Sequence, residues 1–86
     1  MPTVAILNEA LDTARRLGYE VHQDWLGGDG GGHCIVRGRK WLLLDVAQSV
    51  DEQLEIVADA LRNESGLARA VRSPELAERL HLSRAA

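Results

Sequence analysis

The chain has 86 residues, enough for one small domain spanning 1–86 with a modest hydrophobic core. Its formal net charge is −3, from 10 basic and 13 acidic residues, which argues against broad nucleic-acid binding. No stretch has the roughly 20 apolar residues of a membrane span, and the single cysteine, Cys34, excludes an intrachain disulfide. We therefore expect a cytoplasmic domain whose partners include neither nucleic acid nor membrane.

The first predicted element is an amphipathic helix over residues 4–17. Its apolar residues recur at spacings of three and four, so they share one face of the helix. Gly18 follows directly, and glycine readily adopts the left-handed conformation that ends many helices. The pattern predicts a helix that packs against the domain by one face.

Three short strands follow in the prediction. Residues 19–26 alternate between apolar and polar side chains, residues 33–37 form a second strand, and residues 41–46 are apolar on both faces. The last pattern is typical of a strand that is covered on both sides or central in its sheet. We expect helices to cover one face of this sheet, and a partner to cover the other.

A tight turn at residues 37–40 joins the second and third strands. With Gly38-Arg39 as a two-residue hairpin loop, Cys34 pairs with Leu43. This register sets two basic side chains opposite each other, so a four-residue loop is the alternative.

The C-terminal part begins with a capping box, Ser49-Val50-Asp51-Glu52, which predicts a helix from residue 50 to about 63. Residues 67–72 suggest another helical turn, and Ser73-Pro74-Glu75 marks a further helix start. The fold class is therefore α+β: an N-terminal helix, a three-stranded mainly antiparallel sheet, then one long and one short C-terminal helix. Acidic residues of the long helix fall on its wet face, where solvation is expected rather than acid–base chemistry: Asp51, Glu52, Glu55 and Asp59.

The most unusual local feature is the glycine run over residues 27–32, Gly-Gly-Asp-Gly-Gly-Gly. Phosphate-binding loops lead into a helix, whereas a strand follows here, and Asp29 would repel a phosphate. The run therefore predicts a bulged connector between strands, in which glycine supplies positive φ angles or a close backbone approach. Contact with a partner or ligand is the alternative.

Several other residues have both a structural and a functional interpretation. Trp25 and Trp41 are core or interface anchors, and the absence of phenylalanine favours the core. Cys34 is predicted to be a small buried residue. His22 and His33 would approach each other only on neighbouring strands, so surface histidines are expected rather than a zinc site.

The basic residues of the turn are predicted to be solvated, with anion binding as the alternative. Two apolar sheet faces and few helices would leave Leu42 and Leu44 partly wet, which indicates a partner surface. We expect a non-enzymatic domain that contacts a protein or, as a homodimer, itself, and that needs no cofactor or metal. The predicted contact residues are Trp25, Gly28, Asp29, Gly30, Gly31, Arg37, Arg39, Lys40 and Trp41.

One segment, residues 34–62, resembles a known family. An apolar strand over 40–45 is followed by Ser49-Val50-Asp51-Glu52-Gln53-Leu54 and an amphipathic helix, which is similar to the segment leading into the active helix of ImmA/IrrE-type zinc metallopeptidases. In that family the helix carries HExxH, which supplies two zinc ligands and the general base. Here the equivalent stretch is Asp59-Ala60-Leu61-Arg62-Asn63, so the resemblance implies a scaffold without its catalytic residues. The whole chain also resembles short bacterial proteins in which a glycine run precedes a Lys-Trp-Leu strand, and that resemblance implies no activity.

Overall fold

A computed structural model describes residues 2–82 of the chain. It confirms the predicted α+β class: an N-terminal helix precedes three strands and a helical C-terminal part. The C-terminal part contains three helices, of 12, 4 and 6 residues. The elements are α1 (Thr3–Arg16), β1 (Tyr19–Asp24), β2 (Gly32–Val36), β3 (Arg39–Asp45), α2 (Val50–Leu61), α3 (Leu67–Ala70) and α4 (Pro74–Arg79).

The helix ends follow the predicted local signals. Gly18 ends α1 with a φ of +94°, a conformation that glycine adopts without a steric penalty. The capping box before α2 forms, because the Ser49 hydroxyl accepts from the Glu52 amide at 3.1 Å and the Glu52 carboxylate accepts from the Ser49 amide at 3.4 Å. Ser73 caps α4 in the same way, by accepting from the Leu76 amide at 3.1 Å.

The sheet has the strand order β1-β3-β2, so the apolar strand β3 is central, as its sequence predicts. β1 pairs with β3 in parallel and β2 pairs with β3 antiparallel. The sheet is therefore mixed rather than mainly antiparallel. The reason is that the glycine run takes the chain across the C-terminal end of β3, which leaves β3 between the two earlier strands.

The hairpin between β2 and β3 differs from the prediction. Its two-residue loop is Arg37-Gly38, with φ angles of 52° and 78°, rather than Gly38-Arg39. Cys34 consequently pairs with Trp41 and not with Leu43. Two positive φ angles are the requirement of a type I′ turn, which matches the twist of the strands it joins. The register shift is two residues, so every side chain keeps its predicted face.

All the helices in the described part of the chain lie on one side of the sheet. Leu42 and Leu44 of β3 face them and are fully buried, so the expectation that these two residues are partly wet is wrong. Leu43 points to the other side and is 37% exposed. The core combines these sheet residues with one face of each helix: Leu7, Leu11, Leu42, Leu44, Leu54, Val57, Leu61, Leu67, Leu76 and Leu80, with small residues between them.

The two neighbouring leucines of β3 provide a direct test of this arrangement. Leu42→Ala removes fully buried methyl groups and leaves a cavity, so we expect a loss of about 2–5 kcal/mol in the free energy of unfolding. Leu43→Ala changes a partly exposed side chain and is expected to cost no more than about 1 kcal/mol. Denaturant unfolding of both variants at low protein concentration measures the difference, and equal losses would contradict the assigned faces.

Candidate functional site

The glycine run is held in place by a buried carboxylate, Asp45, at the end of β3. One carboxylate oxygen accepts from the Leu26 amide at 3.1 Å and from the Ala47 amide at 2.9 Å. The other accepts from the Gly30 amide at 3.1 Å. The bond to Ala47, two residues further on, is an Asx turn that leads the chain out of β3 towards α2. Asp45 therefore fixes both the connector above it and the exit from its own strand.

The protonation state of Asp45 follows from these contacts. Burial raises the pKa of a carboxyl group, but the backbone amides that donate to Asp45 outweigh this effect. The pKa of Asp45 is therefore below its ordinary value of 3.8, and the group is ionised at neutral pH. Asp45 is not among the predicted site residues. The sequence feature that indicates it is an acidic residue within an otherwise apolar strand.

The glycines of the run have the two uses predicted for them. Gly27, Gly28 and Gly30 have φ angles of 72°, 83° and 83°, which side-chain-bearing residues rarely adopt. Gly31 instead lies against β3, where a Cβ atom would overlap the carbonyl oxygen of Leu43. The amide of Gly30 is used by Asp45, so this part of the run already holds an internal anion. Gly28 and Asp29 are exposed.

The sheet face opposite the helices is open over much of its area, and we call this the open face. Strand alternation assigns to it Glu20 and His22 of β1, Cys34 and Val36 of β2, and Trp41 and Leu43 of β3. The His22 ring stacks on the Trp41 ring, with centroids 4.6 Å apart and planes 15° apart. The open face therefore combines the His22–Trp41 ring pair with apolar side chains from β2 and β3.

Two predictions about individual residues are wrong. Trp25 is not a core residue: it follows the last residue of β1 and is 74% exposed. Cys34 is exposed rather than buried, because β2 is an edge strand and Cys34 lies on the open face. His22 and His33 are both exposed, as predicted; because β3 lies between β1 and β2, they are not on neighbouring strands, and they point to opposite faces. Within residues 2–82 no three histidine, cysteine or acidic side chains lie close enough to hold a metal ion.

The predicted basic cluster at the turn is divided. Arg37 is exposed in the turn itself, and Arg39 pairs with Glu20 across the sheet at 3.4 Å. Lys40 points to the helix side, where its ammonium group donates to Glu64 at 2.7 Å and lies 4.8 Å from the centre of the Tyr19 ring. The Lys40 contact lowers the pKa of Glu64, and burial raises the pKa of Tyr19.

The helix side carries a cleft of about 620 Å³ that contains none of the predicted contact residues. Arg79 lines this cleft, and its guanidinium group lies 3.4 Å from the Asp51 carboxylate and 3.8 Å from the Glu55 carboxylate. The acidic residues of α2 are exposed, as predicted. The lining is Ile6, Glu55, Glu75, Glu78, Arg79 and His81.

Comparisons of the chain with protein-family models, with curated proteins and with solved structures found no match. Within residues 2–82, no helix combines the length and the apolar character that crossing a membrane requires.

Adjacent glycines test the close approach of the connector to β3. Gly31→Ala forces a methyl group into the Leu43 carbonyl, and we expect it to lower the free energy of unfolding by more than about 1 kcal/mol. Gly32→Ala is the matched control, because its Cβ meets no atom within 4 Å and its φ is not positive. The two variants are compared by denaturant unfolding, and a neutral Gly31→Ala would refute the contact.

Acid stability tests the Asp45 interaction. A carboxylate with a lowered pKa stabilises the fold fully above its unfolded value, near 3.8, and loses that contribution as the pH falls through the folded value. We therefore expect the stability difference between wild type and Asp45→Asn to be largest above about pH 4 and to shrink below it. Glu64→Gln is a parallel case and should change in the same direction, because the Lys40 contact lowers the pKa of Glu64. A stability difference for Asp45→Asn that does not shrink at low pH would contradict the assigned contacts.

The lowered pKa of Asp45 can also be measured without a substitution. An NMR titration of the Asp45 side-chain carboxyl carbon should give a midpoint below the ordinary aspartate value of 3.8. A midpoint above 3.8 would mean that burial, and not the backbone amides, controls this group.

Proposed function

We propose that this chain is a small protein-interaction module, without catalytic residues of its own, that binds a protein partner or a second copy through its sheet. The observation that carries the proposal is the position of its large exposed apolar side chains. In the described part of the chain, five of the six lie between residues 25 and 46, and the sixth, Val4, lies on α1. The five are Trp25, Ile35, Val36, Leu43 and Val46.

This distribution is unlike that of a sheet whose faces are both covered by helices of the same chain. Monomeric soluble proteins scatter single apolar residues over the surface but seldom concentrate them in one region. Val36 and Leu43 lie on the open face, which no helix of residues 2–82 covers, and Ile35 lies on the edge strand β2. Trp25 and Val46 directly follow the C-terminal ends of β1 and β3. Aromatic anchors beside a charged rim are typical of protein interfaces, and the open face offers Trp41 with the Glu20–Arg39 pair next to it.

A protein partner fits this surface better than a small anion. Two of the three basic residues at the turn, Arg39 and Lys40, already contact carboxylates of the same chain. An anion would have to displace these ion pairs, whereas an apolar partner would leave both in place.

We place the module in the cytoplasm. Cys34 is exposed and free, and such a thiol persists in a reducing compartment. No disulfide contributes to the fold, because the chain has one cysteine.

Photo-crosslinking from two positions tests the proposal. A benzophenone side chain replaces Leu43, on the open face, and in a matched variant it replaces Val4, an apolar residue exposed on α1. After irradiation of cells that produce each variant, we expect a defined protein adduct from position 43 and none of comparable yield from position 4. Mass spectrometry identifies the adduct as a second copy or another protein. Equal adducts from both positions, or none from position 43, would contradict the proposal.

A further inference from the structure

We propose that the partner is a second copy of this chain and that the two copies pair antiparallel through β2. The product is one six-stranded sheet, and its two-fold axis passes between the two Cys34 residues. This inference rests on the proposed function and specifies its partner and its contact.

The observation behind it is the difference between the two edges of the sheet. β2 lies at one edge, and in residues 2–82 its only strand neighbour is β3. Its five residues, Gly-His-Cys-Ile-Val, include no lysine, aspartate, glutamate or proline, and four of them are exposed. Natural proteins protect edge strands with charges, proline or bulges, because an unpaired row of amides and carbonyls attracts another strand. β2 has none of the charged or proline protection, whereas β1, at the other edge, carries Glu20 and Asp24.

The hairpin fixes which backbone groups of β2 point outwards. Val36 and Arg39 flank the two-residue turn, so they form a hydrogen-bonded pair. Pairs alternate along an antiparallel ladder, and Cys34 is therefore also hydrogen-bonded to β3. The amides and carbonyls of His33 and Ile35 consequently point away from β3. These are the groups that a further strand would use.

A second copy of β2 satisfies these groups in a symmetric register. With Cys34 opposite the Cys34 of the second copy, His33 faces Ile35 and exchanges both hydrogen bonds with it. Gly32 then faces the branched Val36. No facing pair brings like charges together, because β2 contains no charged residue. Pairing two copies of β1 in the same way would bring together two strands that each carry Glu20 and Asp24.

The symmetric register places the two thiols at a distinctive position. Cys34 has its backbone groups bonded inwards to β3, so the Cys34–Cys34 pair is a non-hydrogen-bonded pair across the new interface. Such pairs have Cα atoms about 4.5 Å apart, within the range that a disulfide can bridge. Both thiols lie on the open face, which becomes continuous across the two copies.

The size of the contact sets the expected affinity. Five residues of β2 form an edge about 17 Å long, and the area buried by pairing it is below the roughly 1,200 Å² of a stable interface. We therefore expect a reversible dimer that forms at micromolar concentrations. Such self-association is detected because the dimer fraction depends on protein concentration.

Site-specific thiol oxidation tests the register. Wild type is compared with two single-cysteine variants, Cys34→Ser with Ile35→Cys and Cys34→Ser with Val36→Cys. Diamide removes one hydrogen atom from each of two thiols and is itself reduced to the hydrazine, which leaves an intermolecular disulfide. At micromolar protein we expect Cys34 to cross-link on the order of tenfold faster than either variant, since pairing raises the effective thiol concentration at that position alone.

Random collision between exposed thiols gives position 34 no such advantage. Ile35 is 71% exposed and Val36 is 50% exposed, so a thiol at either position is at least as accessible as an average surface group. Equal rates at the three positions, or faster reaction at position 35, would overturn the proposal. Circular dichroism of each variant confirms that the fold is intact before oxidation.

Amide hydrogen exchange of the wild type gives an independent measurement that needs no substitution. Protection of the His33 and Ile35 amides should rise with protein concentration, while protection of the Cys34 amide should not change. A lack of concentration dependence at His33 and Ile35 would overturn the pairing. If photo-crosslinking at Leu43 captures a different protein and the oxidation rates are equal, the self-pairing fails while the proposed interaction function stands.

Discussion

The contact between the Asp45 carboxylate and the backbone amides of the glycine connector determines the rest of this structure. The connector must take the chain from the end of β1 across the end of β3 to the start of β2. Its amides would be unsatisfied there without an acceptor beneath them, and Asp45 supplies both oxygens. The same carboxylate turns the chain out of β3 through Ala47. One side chain therefore stabilises the crossing and the exit together.

This crossing explains why, within residues 2–82, one face of the sheet and the edge formed by β2 are left uncovered. Because β3 lies between β1 and β2, the most apolar strand is central and the two remaining strands become edges. The helices then cover the face that contains Leu42 and Leu44. The opposite face retains Trp41 and Leu43, and the edge formed by β2 retains unpaired backbone groups. A simple meander of the three strands would have placed β2, which has no charged residue, in the centre.

The sequence predicts local structure here better than it predicts strand order. Gly18 and the Ser49–Glu52 box mark helix ends by contacts within a few residues, and both form as predicted. The hairpin loop was misplaced because a positive φ at Arg37 is unusual for a residue other than glycine. The side chains of the hairpin nevertheless lie on their predicted sides of the sheet, because the register shift is two residues. Asp45 was missed because its partners, Leu26 and Gly30, are 15 or more residues away.

The unequal edges of the sheet would also limit how far the proposed assembly can proceed. Pairing through β2 about a two-fold axis uses the same edge of both copies, and such a contact is closed. The outer edges of the resulting sheet are then the two β1 strands, which carry Glu20 and Asp24. Repulsion between these acids disfavours a further strand of the same kind, so growth into a fibre is opposed. In the proposed dimer, the charge pattern that leaves β2 free to pair would thus also stop the sheet at six strands, and both properties would follow from the strand order that the Asp45 contact stabilises.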